Sequence, residues 1–266
     1  MSPSRIDCRR YGCQSFTAVI DLHSHILPGV DDGARTLSDS LEIAAAAVRD
    51  GIEVLAATPH VRDDHPTSAE TMEARVGEVR RAVAEAGIPL DVRKGGEIAL
   101  EELGRLSADE LRRFGLGGNP RYLLLEFPYY GWPLALPELA FRLRTQGITP
   151  VLAHPERNAD VQAAPERLRP LVDSGTLVQV TAAAVDGRIG RRSEETAFEL
   201  IHGGLAHLLA SDAHRPEIRE IGMSAAADAL GDRELARWLT VDVPQAIVSG
   251  AELPERPAKR KRWFGR

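Results

Sequence analysis

Imidazoles and carboxylates fall into short clusters along this chain: Asp21-Leu22-His23-Ser24-His25, Asp31-Asp32, Thr58-Pro59-His60, Gly96-Glu97, Leu125-Glu126, His154-Pro155-Glu156-Arg157 and Ser211-Asp212-Ala213-His214. Side chains two apart on an extended segment point the same way, so His23 with His25, and Asp212 with His214, form pairs able to grip one ion. Histidine and carboxylate donors without thiolate suit manganese, iron, zinc or magnesium. Both cysteines, Cys8 and Cys13, lie near the N-terminus, too few for a disulfide framework and too isolated for a thiolate zinc site. The candidate ligands are His23, His25, Asp32, His60, Glu97, Glu126, His154, Asp212 and His214. They are too many for one ion and suit about three that share a bridging carboxylate and water. Such a set of divalent ions outweighs the carboxylates and would draw a phosphate dianion. Arg157 could hold phosphate oxygens with its planar fork or pair with a surface acid.

What positions these groups is an alternation of short β-type runs with longer amphipathic helical patterns, as in a parallel sheet or barrel wrapped by helices. Strands are expected over 17–22, 52–58, 90–94, 122–127, 148–153, 176–181 and 206–211. Helices are expected over 37–50, 68–86, 137–146, 166–174 and 193–202, with Gly51, Gly87, Gly147, Gly175 and Gly203 just past their ends. On six of the seven strands a candidate ligand sits at or just after the C-terminal end. In a parallel β/α barrel those ends converge on one mouth, so residues distant in sequence would meet there. A lone histidine has an ordinary explanation; repetition at one topological position does not. Buried carboxylates gathered in this way would repel one another unless a cation lay between them. A single barrel domain over 17–252 is expected, between a leader at 1–16 and a tail at 253–266.

Composition narrows the class further. With 266 residues, 43% hydrophobic, and a formal net charge of −6, the chain reads as globular and as a poor generic nucleic-acid binder. No run approaches the roughly 18 apolar residues of a membrane span. The leader has no apolar h-region, which argues against a secretory signal and for a cytoplasmic protein. In the tail, Arg256, Lys259, Arg260, Lys261, Arg262 and Arg266 stand against the single Glu255, with Trp263 and Phe264 among them. A membrane surface or acidic partner would suit these residues; a solvated terminus is the simpler expectation. Aromatic residues are scarce, at 5%, yet Phe127, Tyr129, Tyr130 and Trp132 crowd the loop after Glu126. There they could flank an aryl substrate or pack the loop onto the body.

The clusters, taken in order and with His25-Ile26-Leu27-Pro28-Gly29-Val30-Asp31-Asp32-Gly33 and Leu125-Glu126-Phe127-Pro128 included, resemble the metal-dependent bacterial protein-tyrosine phosphatases of the PHP (polymerase and histidinol phosphatase) superfamily, found with capsule and exopolysaccharide genes. The resemblance spans about residues 17–250, and Thr181-Ala182-Ala183-Ala184 with Gly187-Arg188-Ile189-Gly190 is similar to the sixth-strand segment of that branch. It implies a distorted (β/α)7 TIM-like barrel, the PHP fold, and three metals, often manganese. One ion would use His23, His25, Glu97 and Asp212; a second would share Glu97 and add Glu126 and His154; a third would use Asp32, His60 and His214. Asp32 is matched in preference to Asp31 because it directly precedes Gly33. Arg157 matches the phosphate-contacting Arg of the family. A second such Arg usually follows the Asp-x-His motif at some distance, whereas here Arg215-Pro216 follow His214 at once, leaving Arg215 or Arg219 as substitutes.

The reaction implied is hydrolysis of a phosphate monoester by a metal-activated water, with Asp212 and Arg157 at the reacting centre and Arg157 and Arg215 on the substrate. Tyrosine is a good leaving group, its pKa being about 10. A cysteine mechanism needs Arg six residues after the thiolate, but Gln14 and Val19 occupy those positions. The resemblance points to a tyrosine autokinase controlling polysaccharide export as the substrate protein. The rival readings are a phosphatase for a small metabolite such as histidinol phosphate and a non-catalytic metal-binding regulatory module.

Overall fold

Runs such as Leu123-Leu124-Leu125 and Val151-Leu152-Ala153, apolar on successive residues, build strands buried on both faces, as parallel sheets require. The computed structural model describes residues 19–215 and 220–258. Ten strands are present there: β1 Val19–Ser24, β2 Ile52–Ala57, β3 His60–Arg62, β4 His65–Pro66, β5 Asp91–Lys94, β6 Glu97–Ala99, β7 Tyr122–Glu126, β8 Thr149–Ala153, β9 Leu177–Thr181 and β10 Leu208–Ala210. One sheet has the order β1-β2-β5, the other β10-β9-β8-β7-β6-β3-β4, and all pairs are parallel except the hairpin β3-β4.

The expected second and third strands form as β2 and β5, and after a break each is followed by a short further strand, β3 and β6. Pro59 has no N–H for a ladder. Gly96 lets the chain pass so close to Phe114 that a Cβ would lie 2.6 Å from Phe114 Cδ1. Continuity survives in one bond, Glu97 N to Pro59 O at 3.0 Å. Between β1 and the segment after β10 the contact is a single bridge, Ser24 to Ala213, with Asp212 N donating to His23 O at 2.9 Å and His25 N to Ala213 O at 2.7 Å. The pairings thus form two sheets of a mixed α/β domain, and the closed seven-stranded ring expected from the sequence is not formed as one continuous ladder.

Two long helices follow the expected pattern. Leu37–Arg49 (α1) starts at Thr36, whose side chain accepts from Asp39 N, and Ala69–Glu85 (α2) starts at Ser68, which accepts from Thr71 N. Helices at Leu136–Thr145 and Arg191–His202 lie where amphipathic patterns place them. The expected helix 166–174 is instead a 3-10 turn, Pro165–Leu168, then a short helix, Arg169–Asp173, each with proline in its first turn. Helical segments from Met223 to Ser249 cover the remaining core.

Residues 253–258, expected to be solvated, dock against the body: Trp238 Nε1 donates to Pro254 O at 3.1 Å, and Arg256 donates to Ala206 O at 3.0 Å and lies over the Trp238 ring. The rest of the tail and the leader, with both cysteines, lie outside the described residues. No helix among those described is long and apolar enough to cross a membrane.

Candidate metal centre

The centre begins where β1 ends. His23 and His25, both buried, point the same way with their Nε2 atoms 3.2 Å apart. Their outer nitrogens are anchored: His23 Nδ1 lies 3.0 Å from Gln179 Oε1, and His25 Nδ1 lies 2.8 Å from Asp31 Oδ2. Such anchoring fixes the ring orientation and leaves Nε2 for the centre. The chain then folds back on itself, Gly29 N donating to Ala34 O at 2.8 Å and Ala34 N to His25 O at 3.0 Å, until Gly33 lies directly on His25; a Cβ there would come within 2.1 Å of the His25 carbonyl oxygen. Only glycine fits so close an approach.

Asp31 and Asp32, adjacent in sequence, take different places. Asp31 is buried, accepting from Gly33 N at 2.9 Å and from His60 N at 3.1 Å as well as facing His25. Burial alone would raise its carboxyl, but the neighbouring His25 imidazole and these hydrogen bonds bring it down to about 2. Asp32 reaches the open side, 3.3 Å from His214 Nε2 and 3.5 Å from His60 Nε2, and its hydrogen bond with His214 lowers its pKa.

Glu97 lies at the middle. Its Oε2 is 3.1 Å from His60 Nδ1, 3.3 Å from His23 Nε2 and 3.4 Å from His25 Nε2, while Oε1 is 2.8 Å from His154 Nε2. Burial opposes its charge, but the surrounding imidazoles, His23 and His60 foremost, hold its pKa well below the carboxylate range. Asp212 closes the ring, its Oδ1 3.3 Å from His23 Nε2 and 3.2 Å from His25 Nε2. Among the described residues, His154 and Asp212 are the two non-glycine residues with positive φ, at 40° and 52°. Backbone strain of this kind persists where surrounding structure enforces it and gathers at functional sites. Burial, and then the Arg157 charge, push the His154 pKa down to about 4.

On the flanks, Arg157 donates through Nη2 to Asp212 Oδ2 at 2.6 Å and to Thr181 Oγ1 at 3.2 Å. On the other side, Arg62 Nη1 donates to Glu126 Oε1 at 2.7 Å. Burial and the nearby Glu97 charge raise the Glu126 pKa. Arg215 directly follows His214 and is half-buried; Arg219 lies outside the described residues. Of the two places open to the loop aromatics, Trp132 takes the packing one: it meets Phe127 edge-on at 5.9 Å and carries the Arg167 guanidinium at 4.3 Å.

Whether cations fit can be judged from the donors themselves. Among the described residues, Glu97 Oε2, His60 Nδ1 and His154 Nδ1 are buried with no hydrogen-bond partner, although Glu97 Oε2 has three imidazole nitrogens close by. Orphaned buried atoms are costly, and donors that converge without hydrogen-bond geometry suit a shared cation. Ligand atoms mutually within 4.8 Å occur in four groups: His25, Asp32, His60 and His214; His23, His25 and Asp212; His23, Glu97 and His154; His60, Glu97 and Glu126. All nine candidate ligands are in these groups. Glu126 and His154, matched to one ion by resemblance, fall in different groups joined by Glu97.

Some site residues escape the ligand pattern. Asp21 lies in the first motif outside the ligand set, yet it is fully buried, accepting from Ser211 N at 3.0 Å and His23 N at 3.2 Å, with burial raising its pKa to about 6. Asp21, Asp31 and Gln179 support ligands rather than carry the ligand signature. Alternation along β1 and the Asp-Asp pair were the available hints; nothing signalled Gln179 or Arg62.

The chain is similar to known proteins over most of its length. A family model for capsular polysaccharide synthesis, CpsB/CapC, matches residues 19–248. Tyrosine-protein phosphatase YwqE of Bacillus subtilis (strain 168) is 33% identical over 259 residues, covering 93% of this chain and 99% of that protein. Tyrosine-protein phosphatase CpsB of Streptococcus pneumoniae is 29% identical over 244 residues, 86% of this chain and 98% of that one. A crystal structure from work on YwqE and CpsB, described as unique metal-dependent tyrosine phosphatases, matches with a TM-score of 0.81 at 32% identity, over 91% of this chain and 100% of that chain. The lactonase Lmo2620 of Listeria monocytogenes, at 15% identity and a TM-score of 0.52, shares the fold alone.

Proposed function

The chain belongs to the CpsB/CapC capsular polysaccharide synthesis family, and from that membership and its centre we infer that it is a metal-dependent protein-tyrosine phosphatase. The observation that carries this reading is the convergence of imidazoles and carboxylates on Glu97 with a guanidinium alongside. His23, His25, Glu97 and Asp212 would hold one ion, Glu97 with Glu126 and His154 a second, and Asp32, His60 and His214 a third. Manganese is the first choice among the borderline and hard ions these donors accept. The ions, when bound, supply Lewis-acid polarisation of the phosphoryl group and a water of lowered pKa.

The chain's own residues do the rest. Arg157, held by Asp212 and Thr181, offers its fork to phosphoryl oxygens, with Arg215 as a second cationic contact. Its low pKa keeps His154 a neutral donor throughout the physiological range. Phenolate leaves with little need of protonation, its conjugate acid having a pKa of about 10. The two sheets, bridged at Ser24 and Ala213, act as one barrel-like unit over 17–252 with the site at its mouth. The physiological substrate is a bacterial tyrosine autokinase with a tyrosine-rich tail that governs polysaccharide export, and the enzyme is cytoplasmic.

The test is to strip the protein with chelator, restore it with manganese, zinc, iron or magnesium, and follow a phosphotyrosine peptide and histidinol phosphate. Metal-dependent hydrolysis favouring the peptide is expected. A strong preference for histidinol phosphate, or metal-replete protein without turnover of either, overturns the reading.

A further inference from the structure

The aromatic residues of the loop after β7 divide their labour. Phe127 is buried and Trp132 is spent on Arg167, but Tyr129 stands at the rim, 48% exposed. Its hydroxyl accepts from Arg157 Nη1 at 3.3 Å, and the other terminal nitrogen of that guanidinium reaches Asp212. Its ring lies nearly parallel to His154, at 10° and a centroid distance of 6.3 Å. One edge of Tyr129 therefore belongs to the centre while part of its ring faces solvent.

This placement is rigid. Asn158, next to Arg157 in sequence, donates through Nδ2 to Pro128 O at 2.8 Å and Gly131 O at 3.0 Å. Its Oδ1 accepts from Asp160 N and Val161 N, and Ala159 N donates to Tyr129 O at 3.1 Å. The same asparagine thus caps a helix and clamps both sides of Tyr129. A fixed aromatic ring costs little entropy when another ring stacks on it.

We propose that Tyr129 selects aryl over alkyl phosphate esters, its exposed ring forming the wall against which the substrate's aromatic ring packs while the phosphoryl group lies at Arg157. This rests on the phosphatase reading above and names the residue that would make that site prefer phosphotyrosine. Ring pairs prefer centroid separations of about 4.5–7 Å, and such a contact is worth roughly three- to tenfold in affinity. An alkyl phosphate offers no ring and gains nothing from the wall.

The experiment compares wild type, Tyr129→Ala and Tyr129→Phe, all reconstituted with manganese and checked for metal content. KM for p-nitrophenyl phosphate and a phosphotyrosine peptide should rise about three- to tenfold in Tyr129→Ala, with kcat and metal content within about twofold. Phenylphosphonate should lose its advantage over methylphosphonate as an inhibitor by the same factor, whereas Tyr129→Phe should keep it. Unchanged aryl KM in Tyr129→Ala overturns the proposal. So do equal losses on phenyl and methyl phosphonates, or a loss in Tyr129→Phe matching that in Tyr129→Ala, since either would assign the effect to the hydroxyl on Arg157. A wild-type protein inactive on every aryl phosphate would instead defeat the phosphatase reading, and this proposal with it.

Discussion

The two ends of β10 place histidines in opposite electrostatic company. Past its C-terminal end, Asp212 meets His23 and His25 while His214 stacks on His25 and faces Asp32; burial disfavours protonated imidazole there, yet Glu97 and Asp212 raise the His23 pKa and Asp31 leads the groups that raise that of His25. Just before its N-terminal end, His207 accepts from Val178 N at 3.2 Å, lies 6.3 Å from the Trp238 ring, and is brought down to about 4 by burial and by Arg256. One end surrounds imidazole with anions and the other with apolar rings and a cation. The first attracts cations of any kind; the second keeps a histidine neutral as a packing group. What separates a functional from a structural histidine here is the sign of its neighbours, more than its burial.

The comparison breaks most sharply at Asp212. Asp212→Ala removes a candidate ligand and the partner of Arg157 together, and should lower kcat at least 10²–10³-fold, the scale for losing one charge-stabilising group. Metal analysis should show reduced occupancy, while far-UV circular dichroism shows the fold intact. His207→Asn, at the other end of the same strand, should leave turnover and metal content within about twofold. If both variants lost activity alike, the division between a reactive and a structural end would be wrong.

Asp31 and Gly33 sharpen it one layer out. Asp31→Asn leaves one side-chain oxygen for three donors, His25 Nδ1, His60 N and Gly33 N, so the anchor of His25 weakens; the outer partners of metal-bound histidines are typically worth about 10–100-fold in metal affinity or activity. Manganese titration by calorimetry should show the weakened binding, with thermal stability of the metal-free protein little changed. Gly33→Ala forces a Cβ onto the His25 backbone, 2.1 Å from its carbonyl oxygen, and should weaken the metal by a comparable factor through displacement of the turn. Wild-type manganese affinity in both would show that the turn does not position His25.

How much of this was legible in sequence follows from the same layers. Ligands are legible because coordination restricts residue type, and parallel strands return each chain end to the same side: His23, Glu97, His154 and Asp212 could be gathered with no knowledge of distances. The strands and the two long helices follow from period and from the glycines, Gly51 and Gly87, just past the helix ends. Closure was not legible, because whether β1 meets β10 through a ladder or one bridge depends on twist and on where Pro59, Gly95 and Gly96 interrupt pairing. The division between Asp31 and Asp32 was legible only through the family resemblance, which prefers the residue next to Gly33; by residue type both fit a ligand pattern, and the fold-back at Gly33 is what sets them apart. Trp132 was the conspicuous aromatic, but sequence does not say which way a loop side chain turns; the Asn158 clamp presents Tyr129 at the rim instead. At the base, Arg256 reads as part of a charge run, and only its carbonyl partners show that it belongs to the body.

The smallest expected effect concerns stability at the base. A histidine whose folded pKa is depressed contributes fully above its ordinary value of 6.5, and that contribution is lost as pH falls toward the folded value of about 4, because the unfolded chain takes up the proton first. His207 therefore favours the fold at pH 7.5 and penalises it at pH 5. The ring is only half-buried, which limits the penalty to on the order of 1–2 kcal/mol. Asparagine can still accept from Val178 N but cannot titrate. Thermal melts of wild type and His207→Asn at pH 7.5 and 5.0 should therefore differ in their acid-side drop by roughly 2–6 °C, the wild type falling further. Other groups titrate in both proteins and cancel in this difference as long as they lie far from His207. Parallel drops would mean that Arg256 and the Trp238 ring do not hold this imidazole neutral, and the contrast between the two ends of β10 would lose its structural half.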